Sequence, residues 1–156
     1  MRKLSLTEWA NLAEVVGAAA VVVSLLFVGV QVRENTEEIR ATNRQELVNR
    51  AFQATSNFAL DPGLAEIFAK VQLGDSLSDT EAIRYGYFIR ALLYDVQEAF
   101  LLNQEGRLDD DYWATRAAIA RAYLEQPRAR QIYERDKAQG TLLPEFQDWV
   151  DRSVLQ

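Results

Sequence analysis

The chain contains no cysteine and no histidine. Without cysteine there is no disulfide framework, and the redox compartment is left open. The joint absence excludes thiolate nucleophiles and the Ser-His-Asp and Cys-His arrangements. It also excludes the usual zinc sites and the Glu-x-x-His di-iron pattern of helical bundles. Phosphate-binding glycine motifs, GxxxxGK[ST] and GxGxxG, are missing too. An all-carboxylate metal site or a two-carboxylate hydrolase stays chemically open, but no spacing proposes one. No catalytic, cofactor-binding or metal-binding residue is expected, and the protein is expected not to be an enzyme.

Basic charge is also in short supply. Seventeen Lys and Arg face twenty-three Asp and Glu, a net charge of −6. Residues 1–60 hold six of each sign, and residues 61–156 hold eleven basic and seventeen acidic side chains. A nucleic-acid ligand needs a positive surface, so none is expected. There is no basic run for lipid headgroups either. Prolines number three and glycines seven in 156 residues, so breaks in regular structure are few and easily placed.

What the chain has is Val15–Val32, VVGAAAVVVSLLFVGVQV. The stretch carries no formal charge, and only Ser24 and Gln31 are polar. Its length corresponds to about 27 Å of helix, enough for a bilayer core of about 30 Å. A buried helix of a soluble protein fits less well, because a small, highly charged domain cannot easily enclose a helix that is apolar all round. A signal peptide fits less well too. Leu4–Glu14 separates the basic Arg2 and Lys3 from the apolar run, and the run exits through Gln-Val-Arg-Glu instead of an A-x-A site. An uncleaved transmembrane helix is expected.

Residues 1–14 are expected to form an interfacial segment, or else simply to begin the spanning helix. Ser5 and Glu8 have the spacing of a capping box, and Trp9 suits the headgroup level, with Arg33 as the anchor at the other end. Within the span, Ala13, Gly17, Ala20, Ser24 and Gln31 fall on one helix face. Small residues on one stripe let a second helix approach closely, and a glutamine can bond across the contact. Small residues are also common in spanning helices generally, and Gln31 could serve only the interface.

Beyond Arg33 no breaker occurs before Asp61-Pro62-Gly63. Residues 33–60 therefore extend the span as a helical stalk, with a hinge at its polar middle turn as the alternative. Glu37 and Glu38 stand at helical spacing from Arg40 and Arg44, which suits a solvated surface. From Leu47 onward Leu47, Val48, Ala51, Phe52, Thr55, Phe58 and Ala59 make an amphipathic face. Asp61-Pro62 starts a second helix to about Leu73. Ser78-Asp-Thr-Glu81 caps a third, to about Gln104. Leu108-Asp109 starts a fourth, to about Leu124; Pro127 starts a fifth, ending at Gly140; and Leu143-Pro144 starts the last. No strand signal and no internal repeat is present. The fold class is all-α: one long N-terminal transmembrane and stalk helix followed by a small helical-bundle domain over residues 61–156.

Three groups invite a functional reading. Asp109, Asp110 and Asp111 could chelate a hard cation, but a helix cap is the simpler use. Tyr87, Tyr94 and Glu98 share a stripe on the third helix near Arg84, Arg90 and Asp95. They could line a polar pocket, or sit at the rim and pair with neighbouring helices. Trp113, Tyr123, Tyr133, Phe146 and Trp149 are most simply core aromatics, and otherwise an exposed partner patch.

Glu14–Ala20 with Phe27-Val-Gly-Val-Gln-Val-Arg-Glu-Asn-Thr36, Tyr94–Phe100, Gly106-Arg-Leu-Asp-Asp-Asp-Tyr-Trp113, Pro127–Tyr133 and Pro144-Glu-Phe-Gln-Asp-Trp-Val-Asp151 carry a likeness. On these segments the chain resembles an uncharacterised set of bacterial single-span membrane proteins with a C-terminal all-helical domain. In that set a glycine tends to follow the proline where this chain has Arg128-Ala-Arg130. The resemblance implies the architecture and no activity. The expected role is a non-enzymatic interaction or accessory protein in the bacterial inner membrane. Its partners would be the lipid bilayer and either a second copy, giving a homo-oligomer, or another integral membrane protein. The alternative is a tethered ligand-binding or sensory domain. Arg33, Arg40, Arg44 and Arg50 outnumber Arg2 and Lys3, which places the globular domain in the cytoplasm.

Overall fold

The computed structural model describes residues 5–155, apart from the Glu8 side chain. The basic pair Arg2 and Lys3 thus lies outside the described residues, and so does the Glu8 side chain of the expected Ser5–Glu8 capping box. Six helices make up the described chain: α1 (Leu6–Leu60), α2 (Pro62–Leu73), α3 (Asp79–Gln104), α4 (Asp110–Leu124), α5 (Pro127–Ala138) and α6 (Pro144–Ser153). No strand occurs among the described residues.

Local chemistry fixes the helix ends. Asp61 caps α2 by accepting from the Leu64 N–H, and Pro62 occupies the first helical turn, where its missing N–H costs nothing. Gly74 ends α2 in the left-handed region at φ 78°, where a Cβ would be strained. Ser78 and Glu81 form the reciprocal capping box of α3. Asp109 stands at the N-cap of α4 but makes no capping hydrogen bond from its side chain. Its carboxylate accepts from Arg44 Nη1 at 2.8 Å instead.

The chain divides into two compact units, residues 1–39 and residues 40–156. The globular unit therefore begins at Arg40, well before the expected boundary at Asp61. Direct bonds explain the difference. Arg40 Nε donates to the Gly106 carbonyl at 2.8 Å and Asn43 Nδ2 to the Arg107 carbonyl at 2.9 Å. Arg50 grips the Glu98 carboxylate with both terminal nitrogens. Arg40 and Arg44 thus serve the turn between α3 and α4; of the stalk glutamates, Glu37 pairs with Arg33.

The expected amphipathic face of α1 is split. Leu47 is 0% exposed and sits with Ala99 and Leu108, flanked by Leu102, Tyr112 and Trp113. Val48 and Phe52 are exposed. The main core gathers Ile67 and Val71 of α2, Tyr85, Ile89, Leu93, Val96 and Phe100 of α3, Ala120 and Leu124 of α4, Tyr133 of α5, and Phe146 and Val150 of α6. Trp113 and Trp149 meet with ring centroids 4.8 Å apart, and Phe146 stacks on Trp149 at 5.6 Å. Tyr123 meets Phe68 and Phe88 edge-on and tilted, respectively. The five aromatics singled out in the sequence are thus packing residues.

Two ion pairs enter this core. Asp136 of α5 is 0% exposed and receives Arg90 Nε and Nη2 of α3, each at 2.7 Å. Arg116 of α4, also buried, pairs with Asp95 of α3. The Tyr133 hydroxyl, driven up by burial and by donation to Asp151, joins α5 to α6.

Candidate functional site

The first candidate surface belongs to α1. Every residue from Val15 to Val32 is exposed, and α1 contains the one described stretch long and apolar enough to cross a membrane. Ala13, Gly17, Ala20, Ser24 and Gln31 all lie on this exposed segment. A Cβ built on Gly17 would meet nothing within 4 Å. Ser24 Oγ donates to the Ala20 carbonyl one turn back at 2.8 Å, which leaves Gln31 as the polar side chain of the stripe. Trp9 is exposed at one end of the segment. Arg33 bonds Glu37 at the other, with Nε to Oε1 at 3.2 Å.

The second candidate is a groove of about 460 Å³ between α3 and α5. Ala82, Ile83, Gly86, Tyr87 and Arg90 line one side, and Arg135 and Gln139 the other. The Arg90 guanidinium lies 5.4 Å from the centre of the Tyr87 ring. Its bidentate bond to Asp136 raises its already high pKa, so the charge is permanent. Arg135 Nε stands 4.0 Å from the same carboxylate. A smaller recess of about 220 Å³ is walled by Phe68, Val71, Tyr85 and Tyr123 together with the polar Gln72 and Gln126.

The residues expected to share a polar pocket are not brought together. Tyr87 lines the α3–α5 groove. Tyr94 is exposed and lines neither recess. Glu98 is held by Arg50 of α1, whose guanidinium keeps the carboxyl below its ordinary value. The neighbouring charges are paired as well: Arg84 with Asp61, Arg90 with Asp136, Asp95 with Arg116. Of the aspartate run, Asp109 accepts from Arg44, and Asp110 accepts from Asn103 Nδ2 at 2.9 Å. No cluster of three potential metal ligands occurs among the described residues. Arg135 and Gln139 were missed because no short-range pattern links them to α3. The proline and glycine that bound α5 mark the helix but say nothing of its partner.

Comparison with protein families, curated proteins and solved structures finds no match for this chain. The likeness to bacterial single-span proteins rests on the quoted segments alone.

Proposed function

We propose that Val15–Val32 spans a lipid bilayer and that the protein is a membrane-anchored, non-enzymatic interaction module. The observation that carries this is eighteen consecutive uncharged residues, nearly all apolar, exposed on every side of one helix. Exposed apolar area on that scale is unfavourable in water, and hydrocarbon relieves it. The helix also satisfies its own backbone polar groups, as a lipid environment demands. A non-catalytic role accords with a sequence that lacks thiol and imidazole groups. The partner we propose is a second copy of this chain or another integral membrane protein, met through the small-residue stripe.

The membrane is the bacterial inner membrane, with the globular unit on the cytoplasmic side. The support is the arginine excess at the C-terminal flank, Arg33, Arg40, Arg44 and Arg50, against Arg2 and Lys3. Fractionation of expressing cells tests the anchor: the protein stays with membranes after an alkaline wash, whereas release into the supernatant overturns it. Protease treatment of intact spheroplasts tests the side. The globular unit survives in sealed cells if it is cytoplasmic, and its loss there reverses the orientation.

A further inference from the structure

We propose that the α3–α5 groove binds a small organic monocarboxylate with an apolar or aromatic body. The inference is independent of the membrane reading and starts from charge. Behind the groove stands the Asp136 carboxylate, and facing it are two guanidiniums, Arg90 and Arg135. The three together carry one excess positive charge. Arg90 commits Nε and Nη2 to Asp136 at 2.7 Å. Arg135 donates no side-chain hydrogen bond among the described residues, and its side chain is 56% exposed. Its fork of donors is therefore free at the groove edge, in the planar geometry that matches a carboxylate. A monocarboxylate neutralises the excess charge. A phosphate dianion overshoots it, within a region where seventeen acidic side chains already exceed eleven basic ones.

The remaining walls suit an apolar body. Ala82 and Ile83 offer aliphatic surface, Tyr87 offers a ring, and Gln139 adds a polar side chain to the lining. The volume of about 460 Å³ falls within the ordinary range of small-ligand sites.

Gly86 adds an independent argument. It lies inside α3, where glycine is less favourable than alanine by roughly 0.5–1 kcal/mol. Gly86 is buried, with the Arg135 side chain lying over it. Gly86 does not have a positive φ, and a Cβ there would meet only Arg135 Nη2, at an ordinary 3.8 Å. A side chain longer than alanine's at this position would push against Arg135 at the groove wall. The glycine lets Arg135 lie close against α3.

The test uses the full chain in a non-ionic detergent and benzoate as the probe. Benzyl alcohol and inorganic phosphate serve as the neutral and multiply charged comparisons. Titration calorimetry is expected to give saturable binding of benzoate and none of benzyl alcohol. Arg135→Gln weakens benzoate by about tenfold or more, the loss typical of a charged hydrogen bond. Gly86→Leu displaces Arg135 and weakens benzoate, with the melting temperature measured alongside to tell lost binding from lost folding. Amide resonances of Gly86 and Arg135 in the unaltered chain shift as benzoate is added, which locates the site without any variant. Absence of saturable benzoate binding overturns the proposal. So do binding that survives both substitutions, equal binding of benzyl alcohol, tighter binding of phosphate, or shifts confined to other residues.

Discussion

Leu47 and Phe52 are both apolar, belong to the same helix and end in opposite surroundings. Leu47 is enclosed by Ala99 and Leu108, while Phe52 is 72% exposed. Leu47→Ala should destabilise the globular unit by about 2–5 kcal/mol, the range for a leucine removed from a filled core. Phe52→Ala should change it by no more than about 0.5 kcal/mol. Urea unfolding followed by circular dichroism separates the two. The sequence presented both residues as one amphipathic face, because period alone does not say which edge of a broad apolar arc turns inward. The hydrogen bonds of Arg40, Asn43 and Arg50 on the same helix make that choice. The buried ion pairs were equally hidden. Arg90 and Asp136 are 46 positions apart, and nothing local to either announces the other. Arg90→Met leaves the Asp136 carboxylate buried without its bidentate partner, and should cost about 3–5 kcal/mol. The same unfolding measurement reads it, and replacing both residues by apolar ones should recover most of the loss.

Helix ends were the most legible part of the fold, because each is written in two or three adjacent residues. Asp61-Pro62, Ser78 with Glu81, and the Pro127 and Pro144 starts all stand where the sequence placed them. Asp109 shows the limit of local reading: it occupies the cap position, but Arg44 takes its carboxylate. The cap of α3 also yields a pH dependence. Lys70, then the Ser78 N–H and hydroxyl, hold the Glu81 carboxyl down at about 2, against an ordinary value of 4.5. A depressed folded-state pKa gives stability that is complete above about 4.5 and is lost as pH falls toward 2. The melting temperature of the parent should therefore exceed that of Glu81→Gln at pH 6, and the gap should narrow steadily below pH ~4.5. A gap that stays constant from pH 6 to pH 3 would remove Glu81 from the account of acid stability.

At the scale of the whole molecule, one sequence carries two kinds of surface. Residues 61–156 hold all of the net negative charge, and Val15–Val32 holds no charge at all. The first composition suits water and the second suits hydrocarbon. Association within the bilayer is proposed for the face that carries Ala13, Gly17, Ala20, Ser24 and Gln31. Gly17→Leu combined with Ala20→Leu tests it cleanly. Both positions are exposed, and a Cβ on Gly17 meets no atom of its own chain within 4 Å. The substitutions therefore leave the single chain's packing untouched. They raise apolarity, so insertion is preserved, and they fill the stripe, so a second helix cannot approach closely. The double variant should sediment with membranes like the parent, and its globular unit should melt at the parent's temperature. Its mass in mild detergent should fall toward that of one chain, and cross-linking in native membranes should weaken in step. Unchanged mass and unchanged cross-linking together would show that the stripe makes no contact.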